Sequence, residues 1–259
     1  MANVQRRPEL SAYLSRYYKA MPGFSSHFSA LIGSQLLLWQ SENGISGDAA
    51  EIGVFLGRSA IALALALQPH DRFLAIDKFT WPDNALVRFQ NYARRYGVVE
   101  RALVCKAIDT TALSSESFVR ETGIGKLRYF HIDGDHSPAV LRHDLSLAVT
   151  SMVDRGVICL DDMLHPLYPE LQVVVNGFLR DHDELRVCCI IDREDAVAAA
   201  KYLLCRTEFV ESYKTALAAL FPQYVFPGHG DFSGSQALIL SLDTAVIPYY
   251  DTLNRTIDA

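Results

Sequence analysis

Clustered positive charge is the first thing missing from this chain. No Lys/Arg block exceeds the Arg6-Arg7 and Arg94-Arg95 pairs, and the formal net charge is −6. A basic footprint for nucleic acid is therefore absent. Long apolar runs are missing too: Ile61–Leu67 falls well short of the ~20 residues that a membrane span needs, so no membrane partner is expected. The N-terminal MANVQRRPELSAYL lacks the apolar core of a signal peptide. None of the five cysteines forms a metal-type CxxC pair. Cys105, Cys159, Cys188 and Cys189 lie in apolar, strand-like runs, which points to buried thiols in a reducing compartment. No repeat or low-complexity stretch occurs. What remains is 259 residues, 50% hydrophobic and 21% charged, enough for a sizeable core. The chain reads as soluble, globular and cytoplasmic.

Residues 1 to about 45 read as helical. Pro8 opens a helix through Tyr18, Pro22-Gly23 interrupts it, and Phe24, Phe28, Leu31, Gln35 and Leu38 then recur at helical spacing. The apolar helix at 24–39 is a candidate for a subunit contact in a homo-oligomer. Beyond it, strands are expected at Ala49–Val54, Arg72–Asp77, Ala102–Asp109, Leu127–Asp133, Gly156–Asp161 and Leu185–Asp192. Helices are expected at 58–68, 83–97, 114–122, 138–153 and 169–182. This alternation, with near-continuous apolar strands, predicts an α/β doubly wound, mostly parallel sheet covered on both faces. Ala198–Cys205 and Ala237–Leu242 look like further strands, at least one antiparallel. A helix near 209–220 and a loop, FPGHGDFSG, separate them.

The acids are placed informatively. Glu51 lies in the first strand, and Asp77, Asp109, Asp133 and Asp161 close the next four. Open parallel sheets bind ligands beyond the carboxyl ends of their strands, and carboxylates gathered there need hydroxyls, a cation or water. A lone acid of this kind is ordinary turn chemistry; four in register are not. In Glu51-Ile-Gly53-Val-Phe-Leu-Gly57-Arg-Ser59, two glycines let the backbone approach a ligand before a helix opens near Ser59. Phe55 replaces the middle glycine of GxGxxG, which disfavours a pyrophosphate. Asp77 stands where an acid accepts ribose hydroxyls. Together they suggest a nucleoside ligand without a diphosphate.

His131-Ile-Asp133-Gly-Asp135-His136-Ser-Pro adds a second constellation, followed by Asp161-Asp162. Ser137 and Pro138 suit the N-cap and first residue of a helix, which holds His136 at a strand-to-helix turn. Asp133, Asp161 and Asp162 offer only oxygen, which suits Mg²⁺, Mn²⁺ or Ca²⁺. The plainer reading has Asp162 capping a loop and Asp135 solvating the turn. His131 reads as a core or supporting residue, and His143 and Asp144 as solvated. Trp81 is a candidate for stacking near an adenine, and His165 for lining a pocket.

AEIGVFLGRSAI, LAIDKF, FHIDGDHSPAVLRHDL and GVICLDDM together resemble the class I S-adenosylmethionine-dependent methyltransferases, in the branch of macrocin O-methyltransferase-like enzymes. The resemblance covers roughly residues 47–165. It implies a Rossmann-like seven-stranded sheet in a domain spanning 46–259, with residues 1–45 as its N-terminal helical cap. It places Glu51, Gly53 and Ser59 near the methionine part of the cofactor, Asp77 at its ribose, and Ile108 and Asp109 by its adenine, with Gly57, Lys78 and Asp133 also among the cofactor-binding residues. In the related catechol and caffeoyl-CoA O-methyltransferases a strand-end Asp and an Asp-Asn pair hold the ion. Those positions resemble Asp133, Asp161 and Asp162, so Mg²⁺ or Mn²⁺ is implied there. The catalytic lysine of that group falls on His136, whose neutral imidazole can accept a hydroxyl proton. The implied reaction is methylation of a hydroxyl on a small molecule, a natural-product sugar or a phenol.

Other classes compete. HIDGDH and PGHG resemble parts of metallo-β-lactamase-type hydrolases, but the middle His is missing and the strand–helix alternation differs. An NAD-dependent oxidoreductase is opposed by Phe55. A silent adenosine-binding module leaves Asp133, Asp161, Asp162 and His136 without a purpose.

Overall fold

The computed structural model describes residues 7–99, 102–195 and 197–243. The chain opens with α1 (Pro8–Ala12), a π-helical turn and a 3-10 turn, then α2 (His27–Glu42). The expected first helix is thus broken into three tight pieces before Pro22. Ser26 caps α2, accepting the Ser29 N–H on its side chain. Strands and helices then alternate: β1 (Asp48–Ile52), α3 (Arg58–Ala66), β2 (Phe73–Asp77), α4 (Ala85–Arg95), β3 (Leu103–Ala107), α5 (Ser115–Thr122), β4 (Leu127–Ile132), α6 (Pro138–Ser151), β5 (Met152–Met163) and α7 (Glu170–Asp181). The C-terminal part adds β6 (Leu185–Ile191), β7 (Ala200–Arg206), α8 (Val210–Leu220), β8 (Val225–Phe232) and β9 (Ser235–Leu240).

The nine strands of the described residues join one sheet in the order β3-β2-β1-β4-β5-β7-β6-β9-β8. The first five are parallel. β7 runs antiparallel to both β5 and β6, and β8 antiparallel to β9. The sheet therefore has nine strands where seven were expected. The extra pair includes the FPGHGDFSG segment, expected as a loop: β8 covers most of it, and the β8–β9 turn the rest. Its Pro and Gly residues are tolerated because β8 ends the strand order and has one strand neighbour.

Strand side chains alternate between two cores, as a period of two requires. Ala49 and Tyr129 face the core shared with α2, α3 and α8, while Ala50 and Phe130 face the one shared with α5, α6 and α7. Helix α2 buries residues around most of its circumference, including Ile32, Leu36 and Leu37 at 0% exposure, so its apolar surface is spent inside this chain. Arg128 of β4 fastens it. The buried guanidinium donates to Leu37 O, Ile45 O and Ser41 Oγ and pairs with Asp71 at 2.7 Å, while Gln40 Nε2 donates to Arg128 O. The cysteines are free thiols, Cys105 half-buried and the other four buried. Among the described residues no helix is long and apolar enough to cross a membrane.

Candidate active site

The strand order reverses between β1 and β4, and the chain leaves these neighbours in opposite directions, toward α3 and α6. A crevice beyond their carboxyl ends is the geometric result. It is a cavity of about 830 Å³. Gly53 makes the close approach there: at φ +85° its position would put a Cβ 1.7 Å from Asp133 O, so the two strand ends touch backbone to backbone. Gly57, at φ +90°, packs against the Phe89 ring, where a Cβ would meet it at 2.3 Å. Four side-chain-bearing residues of this edge, Phe55, Phe79, Asp162 and Leu164, also hold positive φ between 51° and 60°. Strain of this kind persists where surrounding structure enforces it, and it gathers at functional sites.

Most residues picked out from the sequence meet at this cavity. Gly53, Ser59, Asp77, Lys78, Ile108 and Asp109 line one side, and Asp133, His136, Asp161 and Asp162 the other. Glu51 and Gly57 do not line it and act from behind. Glu51 is wholly buried, taking the Ser59 hydroxyl and His131 Nδ1 (2.7 Å) on one oxygen, and its other oxygen has no partner. Asp77 accepts the Phe55 N–H at 2.8 Å and the Phe79 N–H at 2.6 Å, one on each oxygen, which ties both turns to its carboxylate. Lys78 pairs with Asp109 at 2.8 Å. That hydrogen bond, with those from Thr111, draws the Asp109 carboxyl down to about 2. Trp81 stacks on Phe55 (centroids 5.1 Å), and Phe24 packs on the same ring at 5.8 Å.

On the other side, His136 Nε2 lies 2.6 Å from Asp162 Oδ2, and its ring lies flat against Tyr168 (4.0 Å, 6°). The Asp162 carboxylate raises the His136 pKa above its ordinary value, despite partial burial. Asp133 is pushed well above the carboxylate range, first by burial and then by the negative charge of Asp161. His165 is buried, accepts the Leu167 N–H on Nδ1 and stacks on Tyr168. Asp135 bonds the Ser137 N–H at 2.8 Å, the plain turn role; Ser137 holds the N-cap position of α6 without capping through its side chain.

The three aspartates expected to share an ion are not drawn to one point. Among the described residues, the ligand-atom groups lying within 4.8 Å of one another are Glu51–His131–Asp133 and Asp133–His136–Asp162. Asp161 has other partners. One of its oxygens accepts the Asp162 N–H at 2.8 Å; the other is ion-paired to Lys201 of β7, with His131 Nε2 at 3.4 Å. Lys201 was missed in the sequence, although a single cation inside the apolar run AVAAAKYLLC was its signal. Asp144 was read as solvated and is wholly buried, with its carboxyl pushed up to about 6 by desolvation.

The fold is that of the class I methyltransferases of solved structure. The family model of a methyltransferase domain matches residues 50–163, the segment running from β1 to the end of β5. Residues 50–163 thus carry a methyltransferase domain. Among solved structures it is similar to the O-methyltransferase NovP (15% identity, TM-score 0.56, covering 70% of this chain and 81% of that one). It is also similar to TDP-rhamnose 3'-O-methyltransferase of calicheamicin biosynthesis (16%, 0.52, 77% and 93%). A third is the O-methyltransferase TomG from Streptomyces achromogenes, involved in tomaymycin synthesis and solved with S-adenosylmethionine (20%, 0.51, 80% and 92%). At these identities the likeness carries the fold. No curated protein matches the chain.

Proposed function

We propose that the enzyme methylates a hydroxyl of a small, largely apolar molecule, with the His136–Asp162 pair as proton acceptor. The observation that carries this reading is the single cavity joining Asp77 and its two tethered turns to the His136–Asp162 pair. The residues fit the cofactor chemically. Asp77 and the Lys78–Asp109 pair offer acceptors and donors for ribose and adenine, and the crowded, unneutralised Asp133 suits the positive end of the molecule. When bound, S-adenosylmethionine supplies a methyl group on a positively charged sulfur, which departs with the bonding pair as a neutral thioether.

The chain's own residues then have a short task. A carboxylate only accepts, so the His136 Nε2–H donates to Asp162 and Nδ1 is left to take the acceptor's hydroxyl proton. Asp162 stabilises the imidazolium that forms, and Tyr168 fixes the plane of the ring. General-base catalysis of this kind contributes ~10²–10⁴-fold. No step is assigned to Mg²⁺ or Mn²⁺: Asp161 is held by Lys201, and Asp162 already holds His136.

The cavity's lining selects the acceptor. Phe24, Trp81, Leu167 and Val197, from four separate segments, are 58–73% exposed around it. Arg58 and Lys78 are its Lys/Arg residues, and both are committed, Arg58 to Gly23 O (2.6 Å) and Tyr18 O, Lys78 to Asp109. With both of these cations engaged and six aspartates in the lining, the cavity offers phosphate little charge to pair with. A phenol therefore fits better than a nucleotide-linked sugar. The test is methyl transfer from labelled S-adenosylmethionine to a panel of neutral phenols, neutral glycosides and nucleoside-diphosphate sugars. Turnover confined to the diphosphates would overturn the acceptor class, and transfer to none of them, by folded enzyme that binds the cofactor, would overturn hydroxyl methylation.

A further inference from the structure

Beneath the cavity floor runs a buried line of ionisable groups that the proton-transfer step does not use. It crosses four strands: Glu51 of β1, His131 of β4, Asp161 of β5 and Lys201 of β7. His131 joins Glu51 at 2.7 Å to Asp161 at 3.4 Å, and Lys201 closes the line on Asp161. All four side chains are at most 7% exposed. The pairing of β5 with β7 explains how a lysine comes to lie there. Leu160 is opposite Tyr202 and Met163 opposite Ala200, so two residues of β5, Asp161 and Asp162, face Lys201 alone across a bulge. The bulge turns one aspartate onto the ammonium, and the other, at φ +57°, onto His136.

Charge makes this arrangement necessary. Glu51, Asp133 and Asp161 are gathered at the ends of three adjacent strands, and burying such carboxylates unneutralised is expensive. Lys201 supplies the counter-charge from inside the fold, and a divalent ion reaching Asp161 would have to displace a buried ammonium. We infer that Lys201 is the resident cation of this cluster, holding the Asp161 carboxylate in place of a divalent metal and so leaving Asp162 to orient His136. In this role Lys201 is a positioning residue: it acts on the reaction through Asp161 and the β5 bulge. The inference rests on the methyl-transfer reading only for its consequence that turnover needs no added ion.

The test measures metal directly, without acceptor or cofactor. Mn²⁺ is titrated by electron paramagnetic resonance and calorimetry into the chelator-treated wild type and into Lys201→Met, Lys201→Arg and Lys201→Met/Asp161→Asn. The wild type and Lys201→Arg are expected to show no stoichiometric Mn²⁺ site. Lys201→Met is expected to gain affinity by roughly 10–100-fold, the scale on which partners of metal ligands act, and the gain should vanish when Asp161→Asn is added. Wild-type turnover should survive EDTA. A stoichiometric Mn²⁺ site in the wild type that Asp161→Asn abolishes would overturn the inference, as would a well-folded Lys201→Met with unchanged affinity. Should Lys201→Met fail to fold, the wild type with and without Asp161→Asn still decides. Loss of methyl transfer alone would count against the reaction and leave the metal result standing.

Discussion

Replacing Gly53 by alanine should damage this protein more than replacing any surface glycine in the same backbone conformation. The new Cβ would sit 1.7 Å from Asp133 O and 2.4 Å from Asp133 C, and both are main-chain atoms that no rotamer change can move aside. To reach ordinary contact the ends of β1 and β4 must part by more than an ångström. The Gly53 N–H to Ile76 O and Asp133 N–H to Ile52 O bonds, both 2.9 Å, resist that movement. A left-handed alanine costs ~1–2 kcal/mol, and overpacking adds ~1–3 kcal/mol. Gly53→Ala should therefore lose about 2–5 kcal/mol, a fall in Tm of roughly 4–20 °C for a chain of this size. Gly123→Ala is the control: φ is +75° there, but nothing lies within 4 Å of the added methyl, so only the left-handed cost applies. Thermal melts followed by circular dichroism, with calorimetric titration of S-adenosylmethionine, give both readouts. Gly53→Ala should also lose cofactor affinity, and Gly123→Ala should keep it. If the two variants melt together and bind the cofactor equally, the close approach at the strand switch is not what shapes the site.

His136→Ala should keep cofactor affinity and lose turnover by ~10²–10⁴-fold, read by single-turnover methyl transfer; near-wild-type rates would place the proton acceptor elsewhere. Because Asp162 raises the His136 pKa, wild-type activity should rise with pH through a midpoint above ~6.5, and Asp162→Asn should move that midpoint down; an unmoved profile would break the pair. Asp77→Ala should weaken S-adenosylmethionine binding by ~1.5–3 kcal/mol, since a charged acceptor and the tether of two turns go together; calorimetry checks it. Asp144 gives a stability test. Its carboxyl titrates near 6 in the fold and lower when unfolded, so the burial cost is absent in acid, grows as pH rises through that interval and is complete above it. Asp144→Asn should therefore stabilise by about 2–3 kcal/mol at pH 8 and by little at pH 4; equal denaturant midpoint shifts at both would refute the shifted carboxyl.

The sheet's parallel half and the ligand edge were legible because position carried the signal. Asp77 ends its strand, Asp133 follows its strand by one residue, and Asp109 caps the turn after β3, so reading strand ends located the cleft. Partners were less legible than positions. Spacing put Asp133, Asp161 and Asp162 on one edge, but which way each carboxylate turns depends on a bulge against β7, a strand about forty residues further on. Asp144 was misread for a related reason: at its place in α6 a helix surface and a helix underside look alike until the sheet is in place. β8 was missed because Pro and Gly mark turns and also mark strands with a single neighbour.

The Arg128 clasp also decides where this chain can be cut. A shortened polypeptide starting at residue 46 would retain every strand of the described residues and every residue proposed to hold the cofactor or take the proton, yet it would leave a buried guanidinium without the Leu37, Ile45 and Ser41 oxygens that now receive it. Stripping partners from a buried charge costs ~3–5 kcal/mol, comparable with a domain's whole margin of stability. Residues 7–45 are a structural wall rather than a removable appendage, and libraries that trim or swap them to change the acceptor should keep α2 and vary the Pro22–Phe24 approach instead.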